Sequence, residues 1–424
     1  MKIPMTHTYT DALTAIALMR IIDSKALNLL FTDSSRRAQF VKKAVEKGHI
    51  KKIDVDETRK QERKSKTLYA ITESGLCFLA NFNKPLFDLL EAKDNMRIFN
   101  DQESKESTKL RLAAVNTALL LSHCAGAAIP AETLCGLTAD IAADGAGESV
   151  RNMYTLKDFM RELMLSENLD YFDVFNRECA PKDENYMVFH DRAFIKETLA
   201  EEIIAGSTND YQAGRYAGIV ESKHKCVMLY TAPMYTMSWS KWLIKGELDA
   251  YQMWRRTNSI VQSGRQLPHV SISAVIVGNA RVFAYHFLSR KRQRDKTEVF
   301  GGQFTHVYII PNDFSGVRFL NWLMRIDVTE LENRVLKVFA MNNNFIMDQN
   351  GDCWTKDGAK LVVGLTLDAK RIQRIINYIN RFPTQKIAII CLDWQKDYYR
   401  RVLPETVSYI SMKMELLQKI YPLG

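Results

Sequence analysis

The chain has 424 residues, enough for two or three domains. Hydrophobic residues make up 46% and charged residues 25%, which excludes a disordered or fibrous chain. The 58 Lys and Arg outnumber the 49 Asp and Glu to give a formal net charge of +9, which suits an anionic partner without requiring one.

The first thirteen residues, MKIPMTHTYTDAL, lack the apolar core of a signal peptide. Residues 11–20 and 24–30 then read as two supporting helices. The next segment, SSRRAQFVKKAVEKG, can be tested by helical geometry at about 100° per residue. With Arg36 set at about 0°, Gln39 falls at about 300°, Lys43 at about 340°, Lys47 at about 20° and Lys42 at about 240°. Phe40, Ala44, Val41, Val45 and Ala38 occupy the arc from about 40° to about 200°. One side can pack while the other is a stripe of long cationic and amide side chains. Ser34 or Ser35 is placed to cap the start, and Gly48 to follow the end.

Two strands are expected next, because Ile53 and Val55, then Tyr69 and Ile71, alternate with polar neighbours. The connection DETRKQERKSK is too long for a tight hairpin. Its Arg59, Lys60, Arg63, Lys64 and Lys66 would ride along phosphates. A basic helix followed by a strand, a charged tip and a second strand is the order of a winged helix-turn-helix. From Arg36 to Lys66 there are twelve Lys or Arg and five Asp or Glu, so twelve minus five gives +7 of the chain's +9. Charge concentrated so tightly is the footprint of duplex DNA binding, with Ser35, Arg36, Arg37, Gln39, Lys42, Lys43 and Lys47 on the reading helix. The competing reading is a winged helix that contacts proteins, its charges merely solvated. Thr72 is placed to cap a closing helix, three residues before Gly75.

Residues 1–91 therefore read as a DNA-binding domain. Residues 92–205 read as a polar linker to residue 109, then a helical segment that includes 110–124, 130–137 and 156–165. The tract NRECAPKDENYMVFH looks like a loop running into a strand. In residues 206–424, β-rich runs (AGIV, CVMLYT, VSISAVIV, HVYIIP, KLVVGLTL, KIAIICLD, VSYISM) alternate with helical stretches. That alternation argues for a mixed, largely parallel α/β sheet domain. The first two runs, separated by ESKHK, are expected to form a hairpin. No repeat of fixed period is visible.

No apolar run reaches the eighteen or so residues of a membrane span. The seven cysteines (Cys77, Cys124, Cys135, Cys179, Cys226, Cys353, Cys391) are odd in number and never spaced as CxxC. Reduced thiols in a cytoplasm are expected, without a zinc ribbon or disulfide scaffold. There is no P-loop, no GxGxxG after a strand, no GxSxG elbow and no HxH or HxxxH pair. No cofactor or resident metal is expected. Glu221-Ser222-Lys223 matches the Glu-x-Lys of metal-dependent nucleases, with Asp210 or Asp249 as further ligand. It falls at the hairpin turn, however, and a three-residue match arises easily by chance. Asp368 and Asp393, each after an apolar strand, read as helix N-caps. Tyr398-Tyr399 reads as the surface of an amphipathic helix. Arg290, Lys291, Arg292 and Arg294 form a second basic run, either solvated or gripping flanking DNA. Trp239, Trp242 and Trp254 are core or interface anchors before they are a stacking platform.

The ending LYAITESGLCFL resembles the close of bacterial winged-helix regulators, whose wing runs into Y-x-L-T-x-x-G. The overall layout, with GRYAGIVESKHKCVMLYTA, SWSKW, THVYIIPN and IAIICLDWQK, resembles the replication-relaxation proteins of plasmids and conjugative elements, accessory proteins of Firmicutes mobile elements. That resemblance implies a duplex-DNA-binding regulator or accessory factor in element replication or transfer, with a C-terminal domain of restriction-endonuclease-like fold that is not catalytic. A homodimer is expected on a two-fold site, with room for a protein partner and no membrane. A metal-dependent nicking enzyme and a protein-interaction adaptor are the alternative functions.

Overall fold

The computed structural model describes residues 9–31, 33–56, 65–81, 106–127, 187–191, 216–222, 225–231, 272–281, 283–284, 304–341, 345–348 and 352–422. Among them the fold is mixed α and β, with ten helices and three sheets. No helix among them is long and apolar enough to cross a membrane.

The N-terminal unit runs α1 (Tyr9–Met19), β1 (Ile21–Asp23), α2 (Ser24–Leu30), α3 (Ser34–Glu46), β2 (Ile50–Asp56), β3 (Ser65–Ile71) and α4 (Glu73–Ala80). Local chemistry sets its corners. Asp23 caps α2 by accepting from the Lys25 and Ala26 amides, both at 2.9 Å. α3 is capped by Asp33, which accepts from the Ser35 amide at 2.7 Å. The expectation that Ser34 or Ser35 caps it is one or two residues late, and a carboxylate is the stronger acceptor at that end. Gly48 follows α3 at φ +67°, the left-handed conformation expected of it. Thr72 caps α4, accepting from the Gly75 amide at 3.1 Å.

The three strands form an antiparallel sheet in the order β1-β3-β2, in register from Ile50↔Ile71 to Asp56↔Ser65. β1 is only three residues long, too short for any alternation to reveal it. Ile22, Ile50 and Ile71 join the core with Leu13, Ile16, Leu27, Phe40 and Ala44 of the helices. Ile21, Ile53, Val55, Leu68 and Ala70 form a second cluster with Leu110, Leu112 and Ala113. Those last three belong to α5 (Glu106–Cys124), which begins four residues before the expected start at 110. One face of the small sheet is therefore buried against this helix, while the other is covered only around Ile22, Ile50 and Ile71 and leaves Lys52 and Asp54 exposed.

α5 is the joint of the molecule. Asn116 donates to the carbonyls of Met19 and Ile21, both at 2.6 Å, on either side of Arg20 at φ +66°. Thr117 donates to Asp23 at 3.0 Å. The same helix packs on β5 (Tyr216–Ser222) and β6 (Cys226–Thr231), and Asn321 donates to its Ala125 end at 2.6 Å.

The alternation after residue 206 is divided between two five-stranded sheets. The first contains β4 (Met187–Asp191), β5, β6, β7 (Ile272–Val277) and β8 (Val307–Ile310). The second contains β9 (Phe345–Met347), β10 (Cys353–Thr355), β11 (Lys360–Val363), β12 (Ile387–Leu392) and β13 (Ser408–Met412). In both, spatial order equals chain order. Each has two antiparallel pairings followed by two parallel ones. The expected β5–β6 hairpin forms. The doubled plan leaves no periodic sequence signal, because only its pairing pattern repeats.

Helices α6 (Phe314–Leu323), α7 (Val328–Ala340), α8 (Ala369–Arg381), α9 (Gln395–Val402) and α10 (Met414–Ile420) flank these sheets. Ile219, Met228, Ile276 and Ile309 of the first share a core with Ile372 of α8, Ile389 of β12 and both tyrosines of α9. Tyr398 and Tyr399 are only 4% and 1% exposed, so the expectation that they lie on a helix surface fails. Their phenols find carbonyls: Tyr398 donates to Gly278 at 2.7 Å and Tyr399 to Gly364 at 2.5 Å. One bond anchors α9 beyond β7, the other beyond β11. Asp368 caps α8 as expected. Asp393 does not cap α9; Trp394 stands at that position without a side-chain bond.

Candidate nucleic-acid interface

α3 divides sharply into two sides. Phe40 and Ala44 are buried, and Val41 and Val45 pack beside them. Ser35, Arg36, Gln39, Lys42, Lys43 and Lys47 are exposed, and Arg37 is half-buried. Ala38, expected at the edge of the packed arc, is exposed. Lys42 approaches Glu46 at 3.9 Å, but both are well exposed and such a pair holds little energy.

The Lys43 ammonium lies 5.0 Å from the centroid of the Tyr9 ring. Tyr9 hydroxyl and His49 Nδ1 are 2.8 Å apart, and His49 stacks on Phe78 at 4.4 Å. Burial, with Lys47 adding to it, holds the His49 pKa below its ordinary value. Burial also raises that of the Tyr9 phenol. At neutral pH a neutral imidazole can therefore accept from a neutral phenol, and this stack underpins the basic face at Lys43.

The tip that carries Arg59, Lys60, Arg63 and Lys64 lies outside the described residues. Lys66, at the root of the same hairpin, pairs with the buried Asp23 at 2.8 Å. It ties β3 to the start of α2, a task that its place in a basic run does not reveal. Lys52 is a further cation that the sequence pattern did not single out. It is exposed on β2, in register with Tyr69 of β3. Burial raises the Tyr69 pKa, and the nearby Arg37 charge opposes that rise. Arg37, Tyr69 and Lys52 thus carry the polar surface from α3 onto the sheet. Strand alternation could have flagged Lys52, since it shares a face with Asp54.

Of the nuclease pattern, only Glu221 and Ser222 fall among the described residues. Glu221 sits on β5 opposite Cys226, while Lys223, Asp210 and Asp249 lie outside the described residues. Among the described residues no group of three His, Cys, Asp or Glu could hold a metal ion. Arg290, Lys291, Arg292 and Arg294, with Trp239, Trp242 and Trp254, also lie outside them. No family model, curated protein or solved structure matches the chain.

Proposed function

We propose that the N-terminal unit is a winged helix that binds duplex DNA, and that the protein is a regulator or accessory factor for replication or transfer of a mobile element. The observation that carries this reading is the division of α3: a packed side of Phe40 and Ala44 behind an exposed side of Arg36, Gln39, Lys42, Lys43 and Lys47. An α-helix of this kind fits a major groove, where Arg and Lys suit guanine and Gln suits adenine. Arg59, Lys60, Arg63 and Lys64, between β2 and β3 in the chain, supply phosphate contacts. The two C-terminal sheets, read as a non-catalytic restriction-endonuclease-like scaffold, provide dimer or partner contacts, and a dimer selects a two-fold target.

The test is selection of bound fragments from randomised duplexes, followed by titration of the winning site. Gln39→Ala and Lys43→Ala should relax sequence preference, each by about 1–3 kcal/mol of discrimination. Replacing Arg63 and Lys64 should weaken binding to every sequence and flatten the salt dependence by about one unit for each phosphate left without its cation. Equal losses from both pairs on all sequences would overturn the assignment of reading to α3. A failure of the intact protein to retain any duplex would overturn DNA binding itself.

A further inference from the structure

We infer that α8 is a second duplex-DNA contact surface, separate from α3, that grips backbone phosphates. The identity of the polymer rests on the function proposed above; the residues and the test are independent of it. α8 holds Lys370, Arg371, Arg374 and Arg381 and not one acid in its thirteen residues. At about 100° per residue, Lys370, Arg374, Asn377 and Arg381 fall within about 60° of one another. Ile372 and Ile375 are buried on the opposite side. Arg374, Asn377, Asn380 and Arg381 are exposed. The outward stripe is thus entirely cationic and amide.

The neighbouring acids are already engaged. Asp368 accepts from the Val307 and Lys370 amides, both at 3.1 Å, and lies 3.0 Å from His306. Glu332 of α7 pairs with Arg371. Asp352 pairs with Lys360 at 2.5 Å. Lys370 itself turns inward to the Phe304 carbonyl. Arg374 and Arg381 remain without an ion-pair partner among the described residues. The Arg381 guanidinium lies 5.4 Å from the centroid of the Phe382 ring, which holds it near the helix end. Seven residues separate the two arginines, about 10.5 Å along the helix, or roughly three base-pair steps of a duplex. A cationic stripe with no acid, at that spacing, fits a phosphate backbone. The amides between offer further donors and no opposing charge.

The experiment uses the full chain and a fluorescent 30-base-pair duplex, titrated by anisotropy across a series of salt concentrations. Three double variants are compared: Arg374→Gln with Arg381→Gln, Arg36→Gln with Lys42→Gln, and a charge-matched control, Lys413→Gln with Lys419→Gln. All six positions are exposed, so folding should persist, and circular dichroism verifies it. The α8 pair should lower the slope of log K against log salt by about 1.8, or about 0.9 per phosphate, and the control should leave it unchanged. A slope unchanged by the α8 pair, or lowered equally by the control, overturns the inference. If only the α3 pair lowers the slope, the winged-helix reading survives without it. If the α8 pair lowers the slope and the α3 pair leaves both affinity and sequence preference unchanged, the inference stands and the winged-helix reading falls. A wild-type chain that binds no duplex at any salt overturns both.

Discussion

Asp23 shows how much one side chain can carry. It is 2% exposed and caps α2, accepts from Thr117 of α5, and pairs with Lys66 of the hairpin. A buried carboxylate survives only when its oxygens are satisfied and its charge is matched. Lys66→Met should therefore cost about 2–4 kcal/mol in urea unfolding, since it strands the charge at Asp23. Asp23→Ala should cost a similar amount, adding loss of the cap to loss of the pair. The double variant should cost clearly less than the sum. Strict additivity would mean that the pair of Lys66 with Asp23 carries no coupling. Lys66 also illustrates a limit of reading charge from sequence. It sits in a run of cations that looks uniform, yet the fold turns it towards a partner 43 positions earlier in the chain, and spacing has no access to that.

Lys225 plays a comparable part for an element. It lies at the end of the β5–β6 turn and donates to the Leu323 and Ile326 carbonyls, both at 2.6 Å, closing the C-terminal end of α6. Burial lowers its pKa to about 8 from an ordinary 10.5, with Asp327 opposing the shift. Between those two values the unfolded chain binds more protons than the folded one, so this group's effect on stability improves as pH rises. Relative to Lys225→Met, the wild type should gain about 2–3 kcal/mol between about pH 8 and about pH 10.5. A difference that stays flat across that window would show an ordinary, solvated ammonium. Elements like this hairpin were legible in the sequence because apolar strands and caps are local: KLVVGLTL, KIAIICLD and the helix after Asp368 all form where spacing put them. β9 and β10, with FIM and CWT, were not legible, because three-residue strands exist only by pairing. The burial of Tyr398-Tyr399 was hidden for a related reason. Next to two arginines they resemble a surface, and only the carbonyls of Gly278 and Gly364, far off in sequence, satisfy their phenols once buried. At the candidate interface, the exposed side of α3 was readable from 3.6-residue periodicity, whereas Lys52 and Tyr69 required the strand register.

At the scale of the whole molecule, α5 decides whether the N-terminal unit and the C-terminal sheets behave as one body. One side covers the small sheet at Ile21, Ile53, Val55, Leu68 and Ala70, and Asn116 holds the Arg20 corner. The same helix packs on β5 and β6. All six tryptophans lie at or beyond position 239, so their fluorescence reports the C-terminal half alone. Leu68 is fully buried in the small sheet, and Leu68→Ala should cost about 2–5 kcal/mol. If α5 transmits that loss, the tryptophan transition in urea should move to lower denaturant together with the circular dichroism transition. Independent units would instead leave the tryptophan transition where it was and split the dichroism signal in two. Asn116→Ala should then separate the transitions of an otherwise coupled chain, because it removes both bonds that hold α5 to the corner between α1 and β1. Adding Arg20→Gly to Asn116→Ala should recover part of the stability, about 1 kcal/mol, since glycine occupies φ +66° without the steric cost that arginine bears there. No recovery in the double variant would place the effect of Asn116 in packing rather than in that turn.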